Sequence, residues 1–463
     1  MRYLENKVED VQIAYIGGGS RGWAWGFMSD LAVEPSLSGR VRLYDIDHEA
    51  AHTNEIIGNK MNHLEGAKSH WDYDAVGSLE EALTGADFII LSILPGTFKE
   101  MYSDVHTPEK YGINQAVGDT VGPGGCIRAL RTLPMYVEIA EAIKKYSPKA
   151  WVINYTNPMT TCVDTLYKVF PEIKAFGCCH EVFGTQELLG KMLKEVKGIE
   201  NIKREDIKVN VLGINHFTWI DKATYKGMDL FPMYKEFADK FYDTGYEEGN
   251  KDHWLNSNFL SAHRIKFDLF RKFGLIAAAG DRHLAEAVNG KWYLADLETV
   301  ASWKFKLTPV NWRMEDLTER LARSKRLASG EEVFKFKETG EDGVRQIKAL
   351  VGLEDLITNV NIPNLGQIPN LPIGTIVETN AVFRQDRVEP IVAGPIPNPI
   401  YGMVARHVSN QEAIVQAVLT GDKDLAFSAF INDPLVTITY DEAYKMFQEM
   451  LDNTKAYLPE SLQ

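Results

Sequence analysis

The feature that most constrains this chain is the rhythm of residues 11–179. Short β-rich apolar runs, VQIAYIG (11–17), RVRLYDID (40–47), DFIILSI (87–93), AWVINYT (150–156) and IKAFGCC (173–179), alternate with longer stretches, of which 48–64 and 128–147 carry a helical pattern. Short β-rich runs alternating with helical crossovers make neighbouring strands parallel, so the rhythm predicts an α/β, Rossmann-type doubly wound parallel sheet. Ligands of such sheets lie beyond the carboxyl ends of the strands. Segment 94–125 starts at one such end and holds Pro95, Gly96, Pro108, Gly112, Gly118, Gly122, Pro123, Gly124 and Gly125, which predicts a long, flexible, functional loop.

After about residue 200 the pattern changes. IKVNVLGIN (207–215) and TWIDKATYKG (218–227) predict antiparallel strands, 256–273 and 313–328 helices, 375–394 a hairpin, and the tail after 405 mostly helix. No repeat, low-complexity tract or clean linker separates the halves. The expected organisation is a Rossmann domain over 1–200 and a C-terminal α+β domain over 201–463 packed tightly on it.

A length of 463 residues with 45% apolar and 25% charged residues is ordinary for a globular enzyme. The formal charge of −14 argues against a nucleic-acid surface and against an anionic membrane. The charged N-terminal stretch reads as neither signal peptide nor membrane span, and Cys126, Cys162, Cys178 and Cys179 are too few for a disulfide framework. A cytoplasmic protein with free thiols is expected.

GGGSRG (17–22) follows an apolar strand and precedes a helical run, the context that gives G-x-G-x-x-G meaning. Gly17 permits the tight turn, Gly19 lets backbone approach a pyrophosphate, and Gly22 lets the helix pack close. Asp45, at the end of the next strand, can accept from a ribose diol and would repel a 2′-phosphate, which favours NAD over NADP. Asp47 takes that role if the strand ends later. The alternative is a glycine turn with no nucleotide.

GCCHEVFGTQ (177–186) sets two cysteines and a histidine where a buried strand should end, and GINHFTW (213–219) puts His216 at the end of another. Cys178 and Cys179 can equally be small core residues. No local zinc spacing is present, so a metal site would be assembled from separate strand ends. One thiolate, one imidazole and substrate oxygens leave open positions, which suits a divalent Lewis acid.

Six motifs, IAYIGGGSRGW, GDTVGPGG (118–125), NYTNP (154–158), CHEVFGTQ (179–186), GINHFTW and AAGDRHLAE (278–286), stand in an order that resembles the NAD- and metal-dependent glycosidases of glycoside hydrolase family 4, most closely their α-galacturonidase branch, from about residue 10 to 450. The resemblance implies a lactate/malate dehydrogenase-like architecture and a redox elimination. Hydride leaves C3 of the sugar for NAD, a base takes the acidified C2 proton, and a divalent metal, usually Mn²⁺, holds the C2 and C3 oxygens. The C1 substituent then departs with acid assistance, water adds, and the hydride returns. Residue by residue, the resemblance implies Cys179 and His216 as metal ligands, Asn157 as a contact to sugar hydroxyls, Asp119 as the acid, Asp281 as the C2 base, and His180 as a substrate neighbour. Each has a plainer alternative: Asp119 closing a turn, Asn157 capping a helix, Asp281 and Arg282 forming a solvated ion pair.

SILPGTF (92–98) lacks the arginine that phospho-sugar members carry there, so the implied substrate is an unphosphorylated small oligosaccharide or uronide, α-linked galacturonic acid of pectin origin by likeness. A uronate needs a carboxylate partner, for which Arg282, Arg128, Arg131 and Arg264 are candidates. A homo-oligomer, dimer or tetramer, is implied. The competing readings are a family-4 α-glucosidase or α-glucuronidase, an NAD-dependent 2-hydroxyacid dehydrogenase, and a non-catalytic NAD sensor.

Overall fold

The computed structural model of the protein describes residues 1–247, 253–337 and 339–463. The first half supplies β1 (Arg2–Tyr3), β2 (Val8–Ile16), β3 (Leu37–Tyr44), β4 (Trp71–Ala75), β5 (Phe88–Leu91), β6 (Trp151–Asn154) and β7 (Lys174–Gly177). Six of these are parallel in the order β7-β6-β5-β2-β3-β4, and β1 pairs antiparallel with β2. Alternate side chains feed two cores, which is why the strands read as continuous apolar runs. Ala14, Ile16, Ile89 and Leu91 pack with the helix Gly122–Tyr146 on one face. Ile13, Tyr15, Phe88 and Ile90 pack with Phe27, Leu31 and Ile57 of the helices Trp23–Val33 and His48–Met61 on the other. The doubly wound fold is as expected, and the direction of winding reverses between β2 and β5, where a ligand crevice opens.

The second half adds an antiparallel sheet of β8 (Ile207–Ile214), β9 (Phe217–Tyr225), β10 (Met228–Asp229) and β11 (Ile276–Ala277). It then returns to the first sheet. β12 (Leu356–Pro363), β13 (Ile376–Arg384) and β14 (Arg387–Pro390) run antiparallel, and β12 meets β7 at Asn361↔Gly177, making ten strands in all. Asn359 and Asn361 make β12 look unlike a strand in sequence, yet both side chains are buried.

Segment 94–125 corrects an expectation: it is not a flexible loop. A capping box of Thr97 and Glu100 starts a helix at Phe98–His106, a short 3₁₀ turn covers Pro108–Tyr111, and the helix Gly122–Tyr146 begins inside the glycine run. Two of those glycines serve close packing. A Cβ on Gly124 would lie 2.7 Å from the Asp104 carbonyl oxygen, and one on Gly125 2.4 Å from the Thr120 carbonyl carbon. Element ends also shift: β3 stops before Asp45, β7 stops before Cys178, and the helix expected from 256 spans Arg264–Phe273. Among the described residues no helix is long and apolar enough to cross a membrane.

Candidate active site

β2 ends at Ile16 and the glycine turn follows at the carboxyl edge. Gly17 stands at φ 95°, and a Cβ there would lie 2.0 Å from the Ser92 carbonyl oxygen. No other residue fits that position. The N–H groups of Gly17 and Gly18 both donate to the Tyr44 carbonyl at 2.9 Å, and Gly19 N–H donates to Asp45 Oδ2 at 2.9 Å. The turn after β2 and the acid after β3 therefore hold one another. Gly22 starts the helix Trp23–Val33 with no side-chain cap, leaving its positive end available to an anion. Arg320, from the helix Val310–Ser329, lies across the same turn and donates to the Arg21 carbonyl at 3.1 Å. Asp47 instead caps the next helix by accepting from Ala50 N–H at 3.0 Å. The turn and the uncapped helix start fit a dinucleotide.

Asp119, His216 and His283 form a second cluster, each offering one ligand-type atom within 4.8 Å of the others. They come from different elements. Asp119 precedes the helix Gly122–Tyr146, His216 sits in the β8–β9 turn, and His283 lies on the helix Asp281–Ala287. His216 has φ 62°, a conformation uncommon outside glycine that the surroundings must enforce. Its Nδ1 lies 2.8 Å from Thr120 Oγ1, which leaves Nε2 for the cluster. Its ring centroid is 3.8 Å from that of His283, whose Nε2 is 3.4 Å from Glu181 Oε1. Asp119 accepts from Thr120 Oγ1 at 2.7 Å and from Asn157 Nδ2 at 3.3 Å. Glu286 Oε1 accepts from the N–H groups of Val117 at 2.8 Å and Gly118 at 3.0 Å, pinning the segment that carries Asp119.

Two of the three groups, Asp119 and His216, are in the forms a cation requires. Burial alone would raise the Asp119 carboxyl, but His216, His283 and Arg128 outweigh it and hold it at about 2. Burial and then His283 push His216 down to about 3, so its imidazole is neutral, the form a metal requires. Burial opposes but Glu181 outweighs it at His283, which is raised. Carboxylate oxygen and imidazole nitrogen together suit a divalent ion of the manganese or zinc type.

The remaining sequence candidates are arranged around these two features. Cys179 is buried beside Met159, Val163 and Ile376, outside the three-residue cluster. Burial, then Glu378 and Glu181, push its thiol well above the usual range. His180 is exposed, with Nδ1 2.8 Å from Glu341 Oε1, and that bond pushes the imidazole up to about 9. Asn157 is not a helix cap, because Pro158 holds that position; its Oδ1 is buried without a partner. Asp281 is not a solvated ion pair. It is fully buried and accepts from Ile265 N–H at 3.3 Å and Lys266 N–H at 3.1 Å, and burial pushes it up to about 6. Arg282 donates through Nε to Lys306 O at 3.0 Å and through Nη2 to Ala116 O at 2.7 Å.

His283 and Glu286 escaped the sequence reading, although their i, i+3 spacing in AAGDRHLAE puts both on one helix face. Asp281, two residues before His283, points elsewhere for the same reason.

A nucleotide-type turn and a cation-type cluster sharing one rim of a doubly wound sheet define a Rossmann-type enzyme acting on a small molecule. Residues 12–195 match the family model described as family 4 glycosyl hydrolase, and residues 211–436 match that of the family 4 glycosyl hydrolase C-terminal domain. The chain belongs to the family 4 glycosyl hydrolases. It is 63% identical to the alpha-galacturonidase of Thermoanaerobacterium saccharolyticum, over 99% of this chain and 98% of that one. The crystal structure of Bacillus subtilis lplD superposes with a TM-score of 0.92 at 53% identity, over 96% of this chain and 100% of that one. A 6-phospho-alpha-glucosidase from gut microorganisms, solved with NAD and Mn²⁺, shares the fold at a TM-score of 0.77 and 20% identity, over 97% of this chain and 99% of that one.

Proposed function

We propose that the protein is an α-galacturonidase that releases galacturonic acid from small α-linked uronides, with NAD and a divalent metal as cofactors. The observation that carries the substrate is the relative of that name at 63% identity over nearly the whole chain. When bound, the nicotinamide supplies hydride transfer and the divalent ion supplies charge stabilisation at the sugar oxygens. The chain's own residues divide the remaining work. Gly17, Gly19 and Gly22 receive the pyrophosphate, Asp45 takes the ribose diol, and Ile46, 85% exposed, offers an apolar surface beside it.

His216 belongs both to the pair implied by resemblance, with Cys179, and to the geometric cluster with Asp119 and His283, which makes it the central cation ligand. Asp119, held ionised, suits cation binding better than proton donation. Asp281 is raised by burial to about 6, in the range for a proton acceptor near neutral pH; its assignment to C2 rests on the resemblance and not on contact with the cation cluster. The unpartnered Asn157 Oδ1 suits a sugar hydroxyl, and His180 and Arg282 are the other substrate contacts that the resemblance and the sequence suggest. The nucleotide turn, Asp119, Asn157 and Cys179 come from residues 1–200; His216, Asp281 and His283 come from 201–463. Four buried free cysteines suit the reducing cytoplasm, and a homodimer or homotetramer is the expected assembly.

The test is hydrolysis of p-nitrophenyl α-galacturonide, α-glucuronide, α-glucoside and α-galactoside with NAD⁺ and Mn²⁺, run in heavy water. Turnover of the galacturonide with deuterium incorporated at C2, abolished by chelator and restored by Mn²⁺, is expected. Intact substrates together with stoichiometric NAD⁺ reduction by a free hydroxy acid would instead make the protein a dehydrogenase.

A further inference from the structure

The chain carries a net formal charge of −14, yet three arginines near Asp119 lack any carboxylate of a described residue within ion-pair distance of 4.0 Å. They are Arg128, Arg282 and Arg313. The other arginines considered from sequence are committed elsewhere. Arg131 forms a buried two-pronged pair with Asp104 and donates to Pro95 O at 3.0 Å. Arg264 donates to the carbonyls of Tyr242 and Ser302 and lies 4.9 Å over the Trp303 ring.

Within the group of three, the positions differ. Arg128 is enclosed, with Nε on the Asn157 carbonyl at 3.1 Å and Nη1 buried without a partner. Arg282 spends Nε and Nη2 on carbonyls of the fold. Arg313 is part-exposed in the first turn of the helix Val310–Ser329, and its Nε is buried without a partner. The guanidiniums of Arg282 and Arg313 each stand 5.3 Å from the ring centroid of Phe259, which is 43% exposed and edge-on to Trp312. The two cations are close enough to repel. The helix start beneath Arg313 carries no acidic residue, so its dipole adds to the positive field. A carboxylate arriving from outside would relieve this repulsion.

We propose that Arg313, its guanidinium held against the Phe259 ring, recognises the C6 carboxylate of the substrate and so sets the preference for a uronide over the neutral sugar. This rests on the glycosidase reading above. Arginine's planar fork matches a carboxylate in two hydrogen bonds, which lysine does not reproduce.

The experiment compares full-length wild type, Arg313→Ala and Arg313→Lys, each with NAD⁺ and Mn²⁺, on p-nitrophenyl α-galacturonide and α-galactoside. The ratio of kcat/KM values, galacturonide over galactoside, is expected to fall about ten- to hundred-fold in Arg313→Ala, as loss of a charged hydrogen bond implies, and part of the way in Arg313→Lys. Free galacturonate should raise the Tm of wild type but not of Arg313→Ala, while NAD⁺ raises both. A uronide-preferring wild type whose ratio persists in a folded Arg313→Ala overturns the assignment alone. A wild type with no uronide preference overturns it together with the substrate reading. Should Arg313→Ala not fold, the same ratio read in Arg313→Lys decides.

Discussion

Gly17 shows how local geometry becomes function. Its φ of 95° and the 2.0 Å a Cβ would leave to the Ser92 carbonyl exclude every side chain. Gly17→Ala is expected to push β2 and β5 apart, cost about 1–3 kcal/mol of stability, and weaken NAD⁺ affinity at least tenfold by fluorescence titration. Affinity equal to wild type would mean the turn does not receive the cofactor. The glycine turn of residues 17–22 and the acid after the next strand were legible in sequence because turn chemistry and the preceding apolar run are local. His216 was legible as a histidine at a strand end. His283 was not, since its place in the cluster depends on which way one short helix turns. The long-range partners, Thr120 for His216 and Glu286 for the Asp119 segment, left no mark in spacing.

At the scale of elements, the helices Met159–Val169 and Asn398–Thr420 meet through an acid pair. Asp164 is buried, and burial followed by Glu412 raises it from 3.8 to about 7. Thr160, Thr161, Thr375 and Gln411 line the same small cleft. The folded protein keeps this proton where the unfolded chain has lost it. Stability therefore declines as pH rises from about 4 to about 7 and levels off above, because folding takes up a proton across that window. Asp164→Asn is expected to flatten this slope and to gain about 2 kcal/mol at pH 8, read from urea midpoints. An unaltered slope would assign the pH response to other groups. Elements with strong periodicity, such as β2, β5 and the helix Val310–Ser329, could be read from sequence. β12 could not, since its buried Asn359 is satisfied by Glu378 from β13, a partner that periodicity does not reveal. Glycines in 118–125 looked like flexibility and are instead contacts between backbones.

The whole molecule is tied together by the return of the chain to its first sheet. Two family models divide the sequence near residue 200, where the pattern changes, but β12 lies against β7, and Asn380 donates to the Val209 carbonyl at 2.6 Å, joining the first sheet to β8. A single calorimetric transition is expected, with van't Hoff and calorimetric enthalpies in agreement; two resolved transitions would make the halves independent. Which strands return, and to which edge, is a matter of long-range pairing and has no local signature. During synthesis the consequence is one of timing. β7 leaves the ribosome with its outer edge unpaired, and its cover, beginning at Leu356, emerges only after most of the second half has been made. For that interval the nascent chain displays a ready template for a strand from another copy, so synthesis itself opens a window for aggregation that closes when β12 arrives.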